Sequence, residues 1–328
     1  MRLAVGVALI AYLASSRVID FRALSKLVSA WPISLAGISV IFLDIVLMAI
    51  RLSWLFRARN LRLPLANSLE LTLVSSFFAT FLPGAAGGDL AKLYYAAKEN
   101  KGRRAEIVTV AVFDRAIGLF SLLLLPLLFA PLFSQMIRGV AVLRLLLITS
   151  GILALSMLAA FLVCSLAPDF MNRVAGWIFQ FLPGGELADR TIRTIAGYRG
   201  VAGVLIGAVG LSLLANLSLV GATALAVLAL HPASMSMKLC FVVPIGDVAN
   251  NLPVTPGGLG VGESAYNALF KLAGLEGGAD ALLAWRIWRA AVGLIGLVLY
   301  LRGPGRAVYA ADDAKPSEGS GEKSVSAF

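Results

Sequence analysis

Residues 81–89 read Phe-Leu-Pro-Gly-Ala-Ala-Gly-Gly-Asp, and residues 251–263 read Asn-Leu-Pro-Val-Thr-Pro-Gly-Gly-Leu-Gly-Val-Gly-Glu. Each interrupts an apolar run with a Leu-Pro step, then paired glycines, then an acid. Proline and glycine disfavour continued helix. Each run therefore reads as a helix that stops, turns (Pro83, Gly87, Gly88; Pro253, Pro256, Gly257, Gly258, Gly260) and restarts. Broken backbone at membrane depth is tolerated only where protein buries it or where it lines a cavity. The first run, Ala66–Lys98, is flanked by Arg57, Arg59 and Arg62 on one side and by Lys101, Arg103 and Arg104 on the other. The second leaves through Gly274–Asp280, which holds Glu276 and Asp280 and no basic residue. Basic loops stay cytoplasmic. Both flanks of the first break thus suit the cytoplasm and both flanks of the second suit the outside, which predicts two opposed re-entrant hairpins.

Composition agrees with a membrane setting. Of 328 residues, 59% are hydrophobic and 14% charged, against about 25% charged in ordinary globular chains. Mean hydropathy is +0.88. Long continuous apolar runs exclude an outer-membrane barrel, whose strands alternate. Cys164 and Cys240 each stand alone in an apolar run, so neither a disulfide framework nor a metal site is expected. The single histidine, His231, precedes Pro232 and reads as a solvated loop residue. No cofactor is expected. The net charge of +10 is scattered between apolar segments, which argues for anionic lipid and against nucleic acid.

About 20 helical residues span the hydrocarbon core. Spans are expected at residues 3–19, 33–56, 107–132, 141–166, 201–230 and 281–301, giving an all-α polytopic protein of about six transmembrane helices plus the two hairpins. The first stretch also resembles a cleavable signal peptide. Keeping it as an uncleaved anchor gives each half the same order: helix, helix, hairpin, helix. Pro168–Gly200 reads as an interfacial cytoplasmic segment. The transmembrane domain is expected over 1–311, with halves of roughly 1–133 and 140–302, and a disordered cytoplasmic tail over 312–328. Both termini are expected in the cytoplasm. Starting from opposite sides, the halves form an inverted repeat, the signature of secondary transporters whose site lies where the halves meet.

Charges at membrane depth cost roughly 2.5–3.5 kcal/mol each on insertion scales and must face one another or water. Asp89 and Glu263 open the second arms of the hairpins, where they either cap a helix or pair with an arginine. Arg286, Arg289, Gly293 and Gly296 share one helix face, and a guanidinium fork suits a phosphate. Snorkelling to the interface is the alternative for both arginines. Asp114 and Arg115 are adjacent, hence about 100° apart on their helix, and need not pair with each other. Asp44, in the middle of its span, needs a partner. Lys92 stands one turn from Asp89 and suits either that carboxylate or a lipid phosphate. Asp247, Asn250 and Asn251 are candidate polar lining.

Four motifs, FLPGAAGGDLAKLYY (Phe81–Tyr95), FDRAIGL (Phe113–Leu119), TPGGLGVGES (Thr255–Ser264) and WRIWRAAVG (Trp285–Gly293), together resemble the flippase-like transmembrane family. That family includes the membrane half of lysylphosphatidylglycerol synthase. The resemblance covers roughly residues 5–302. It implies that Asp89 is the family's acid after Leu-Pro-Gly, with Lys92 where arginine is frequent. It places Asp114, Arg115 and Gly118 on the D-R-x-x-G helix, and Pro256, Gly257, Gly258, Gly260 and Glu263 on the second turn. It makes Arg286 the arginine of the final helix, although a proline expected further along is missing.

The resemblance implies lipid translocation rather than lipid synthesis, since no soluble aminoacyl-transferase domain is expected in this chain. The expectation is a non-enzymatic translocase of a phospholipid or lipid-linked headgroup in the bacterial inner membrane. Its substrate-binding set would be Arg115, Arg286, Arg289, Lys92, Asp89, Glu263, Asp114, Asn250 and Asn251. Expected partners are membrane lipids, anionic in character, with a homo-oligomer or an envelope-biogenesis protein as further candidates. Rival readings are an intramembrane transferase acting on a polyprenyl phosphate and a non-catalytic envelope-assembly subunit.

Overall fold

The computed structural model describes residues 21–81, 92–93, 95–97, 100, 103–166, 202–251 and 260–302. The expected first span, the two Gly/Pro turns at 82–91 and 252–259, the Pro168–Gly200 segment and the tail lie outside them. The described residues are helical and contain no strand. In order they are α1 (Phe21–Ser29), α2 (Trp31–Ala58), α3 (Leu65–Phe81), α4 (Arg104–Phe129), α5 (Ser134–Gly139), α6 (Ala141–Leu166), α7 (Ala202–Leu230), α8 (Leu239–Asn250), α9 (Val261–Leu272) and α10 (Gly278–Arg302). Five segments, those of α2, α4, α6, α7 and α10, are long and apolar enough to cross a membrane.

α2 and α7 pack along one another in opposite directions. Arg51 meets Ser212, Trp54 lies against Gly207, and Val40 against Gly221. Several further contacts recur with the halves exchanged. α3 packs on α10 as α8 packs on α4, α2 on α3 as α7 on α8, and α2 on α4 as α7 on α10. Inverted repeats give this pattern.

The flanks of each broken segment meet. In the first half, Asn100 Oδ1 accepts from the Arg62 N–H at 2.9 Å, and Asn100 Nδ2 donates to the Arg62 carbonyl at 2.9 Å. Arg103 donates to the carbonyls of Asn60 at 2.9 Å and Arg59 at 3.0 Å. In the second half, Lys238 Nζ donates to the Ala273 carbonyl at 2.7 Å, and the Glu276 N–H donates to Ser234 Oγ at 2.9 Å. His231, expected as a bare loop residue, instead meets Asp280 at 2.7 Å and helps tie these flanks together. α8 and α9 run antiparallel between them, with Tyr266 against Gly246 and Gly262 against Asn250. Each of these arms has 12 residues, about 18 Å at 1.5 Å per residue, which is too short to cross 30 Å of hydrocarbon.

The two sets of flanks follow the C-termini of α2 and α7, and these helices are antiparallel. The two pairs of flanks therefore lie at opposite ends of the bundle. Two larger apolar clusters and a small one around Phe77 and Leu297 hold the described residues together. Of the larger two, one joins α2, α7, α8, α9 and α10 around Trp288, Tyr266 and Phe241, and the other joins α2, α3 and α4 around Phe56, Leu63 and Ile107. α6 lies on the periphery, with Leu145, Ile148, Ile152 and Leu155 exposed.

Candidate functional site

Before its last turn α2 carries two charges, seven residues apart and hence on one helix face. Asp44 lies at its middle, and Arg51 lies two turns on. The Arg51 guanidinium is 3% exposed and committed on two sides. Its Nε donates to Asp114 Oδ1 of α4 at 2.7 Å, and its Nη1 donates to Ser212 Oγ of α7 at 2.7 Å. Gly118, one turn after Asp114, leaves room for it, because a Cβ there would stand 3.2 Å from Arg51 Nη1. The Asp and Gly of the D-R-x-x-G motif are thus the two sides of a cradle for an arginine from another helix. Arg115 falls on the exposed side of α4, away from this pair.

A second group gathers at the tip of the α8–α9 hairpin. Arg286 Nη2 donates to Asn250 Oδ1 at 2.7 Å, and Asn250 Nδ2 donates to Asp247 Oδ1 at 3.1 Å. Asn251 Nδ2 donates to Asp247 Oδ2 at 2.8 Å. Glu263 fills both roles open to it. Its Oε2 accepts from the Gly260 N–H at 2.7 Å, closing the first turn of α9, while Oε1 stands 3.4 Å from Arg286 Nε. Gly260 holds φ +81° at that turn, a conformation costly for any other residue. One turn along α10, Arg289 stacks over the Trp285 ring at 5.0 Å and stands 3.7 Å from Asp44. The partner that Asp44 required is therefore in the other half of the chain. Lys92, half-buried, also acts electrostatically on Asp44.

Of the expected binding residues, Arg286, Arg289, Glu263, Asn250 and Asn251 come together with Asp44 and Asp247, and Lys92 approaches from the first half. Asp114 belongs to the separate Arg51 cluster. Asp89 and the turn residues Pro83, Gly87, Gly88, Pro253, Pro256, Gly257 and Gly258 lie outside the described residues. Arg51 and Ser212 were not among the expected residues. The signal for Arg51 was present, as the one base inside its span and on the face of Asp44. Nothing in the sequence singles out Ser212 among the serines of the membrane helices. No group of three His, Cys, Asp or Glu with metal-binding geometry occurs among the described residues.

Residues 1–299 match the family model described as the lysylphosphatidylglycerol synthase TM region. The chain belongs to this family. It is a multi-pass membrane protein of a family tied to lipid-related processes. Comparisons with curated proteins and with solved structures gave no match. Among the family-like motif residues, Asp114 and Gly118 build the Arg51 cradle, while Gly260, Glu263 and Arg286 build the hairpin-tip cluster.

Proposed function

We propose that this protein moves an anionic lipid headgroup across the bacterial inner membrane without changing it covalently. The observation that carries this reading is a contrast in how tightly the buried arginines are held. Charge-assisted N–H···O bonds run about 2.7–2.9 Å. Among the described residues, Arg51 meets that length with Asp114, whereas Glu263 stands 3.4 Å from Arg286 and Asp44 3.7 Å from Arg289. Two guanidiniums one turn apart at mid-span, each beyond hydrogen-bond length from the acid it faces, can take a phosphate between them. The acyl or prenyl chains would remain in the bilayer.

The hairpins act in this reading as re-entrant elements. The end bearing Arg59, Arg62, Arg103 and Arg104 faces the cytoplasm, and the end bearing Glu276 and Asp280 faces outward. Rocking one half against the other about the α2–α7 contact would expose the site alternately to the two sides. Fluorescent phosphatidylglycerol in proteoliposomes tests this. It should cross to the inner leaflet and be recovered with unchanged mass. Absence of movement, or a lipid recovered with altered mass, contradicts the reading.

A further inference from the structure

Asp247 is the buried acid that the phosphate fork does not use. It is 9% exposed on α8, one turn before the hairpin tip. Its carboxylate is held by two neutral amides, Asn250 at 3.1 Å and Asn251 at 2.8 Å. Among the described residues it forms no ion pair, although Arg286 and Arg289 act on it at longer range. Beside it lies a second buried polar group. Tyr266 is 1% exposed, its ring packs on Gly246, and its hydroxyl has no hydrogen-bond partner among the described residues. Tyr266 and Asp247 are close enough to interact electrostatically.

Charge counting gives these groups a role. Among the described residues of the site, Asp44, Asp247 and Glu263 supply three negative charges, and Arg286, Arg289 and Lys92 supply three positive ones. A phosphate monoanion entering the fork leaves one uncompensated negative charge. Burying such a charge is costly, and buried groups commonly neutralise instead. The carboxylate with the least direct cationic contact is the one to take up a proton.

Building on the translocase reading, we propose that the lipid anion and a proton travel together, the phosphate in the Arg286–Arg289 fork and the proton on Asp247. The proton comes from the aqueous phase on the open side and forms one O–H bond to the Asp247 carboxylate. It leaves to water on the other side when the phosphate departs, and the lipid itself gains or loses no covalent bond. Among the described residues, the ionisable groups that act on Asp247 are Tyr266 from α9, Arg286 and Arg289 from α10, and Asp44 from α2, with Glu263 beyond Arg286. α7 carries no ionisable residue, and on α4 Asp114 is committed to Arg51, Glu106 to Arg103, while Arg104 and Arg115 are exposed.

One phosphate charge and one proton cross as a neutral pair. The test uses full-length protein in proteoliposomes with fluorescent phosphatidylglycerol, under a pH gradient or under a potassium–valinomycin potential. In the wild type, one pH unit should shift the final leaflet ratio about tenfold, and a potential at equal pH should shift nothing. Asp247→Asn should lose the response to pH. It should then move one net charge, so that about 59 mV shifts its leaflet ratio tenfold. A wild type that ignores the pH gradient and follows the potential overturns the proposal while leaving the translocase reading intact. No movement under any gradient overturns both. If Asp247→Asn does not fold, the wild-type comparison decides alone.

Discussion

Arg51 and Arg286 share a description, each being a guanidinium inside an apolar helix that faces a carboxylate from another helix. Their surroundings separate them. Arg51 has its acid and a serine at hydrogen-bond length and is almost wholly buried, so its work is structural. Removing one partner of a buried pair leaves an unpaired charge, at a cost of about 3–5 kcal/mol. Arg51→Ala should therefore melt well below the wild type in detergent, and Arg51→Ala/Asp114→Ala should recover most of the loss. An equal melting temperature for Arg51→Ala would show the pair to be dispensable. Arg286 should behave in the opposite way. Arg286→Ala should abolish lipid movement with a smaller loss of stability than Arg51→Ala, since Glu263 keeps its bond to the Gly260 amide. Arg286→Lys should restore little, because a point charge lacks the planar fork. A lysine variant moving lipid at the wild-type rate would fit a snorkelling arginine instead. Sequence pattern brought out Arg286 through its spacing to Arg289 and the glycines. It could not name the partner of Asp44, because Arg289 stands 245 positions away and pairing across that separation is decided by packing.

The break in the second apolar run was legible because proline and paired glycines act locally. α8 ends at Asn250 and α9 begins at Val261, on either side of the Leu-Pro and Gly-Gly steps. The close approach of α10 to α3 was legible only as a stripe of small residues. Its depth comes from the structure, where a Cβ on Gly296 would stand 2.1 Å from the Leu73 carbonyl oxygen. That contact is to backbone and cannot be relieved by turning a side chain. Gly296→Ala should push the two helices apart and destabilise by about 1–3 kcal/mol. Gly210→Ala, where a Cβ meets nothing within 4 Å, should be neutral or stabilising by up to about 1 kcal/mol through helix propensity. Thermal melting of the two variants side by side checks this, and equal melting would mean that the α3–α10 contact yields at no cost.

The whole molecule turns on the relation between its halves. Two charged segments suggested the inversion, one basic on both flanks and the other acidic. The antiparallel α2–α7 contact and the exchanged packing of α3 on α10 and α8 on α4 express it in three dimensions. A shared site with alternating exposure requires that the two pairs of flanks lie on opposite sides of a membrane. Single cysteines at Arg104 and Glu276, both exposed, report those sides. Gly277 is unsuitable, since it holds φ +77° and a Cβ there would lie 2.1 Å from the His231 ring. The direct measurement is labelling with a membrane-impermeant maleimide in a Cys164→Ala/Cys240→Ala background. The account predicts that Glu276→Cys labels in intact cells and Arg104→Cys only after the membrane is opened. Labelling of both from the same side would contradict it.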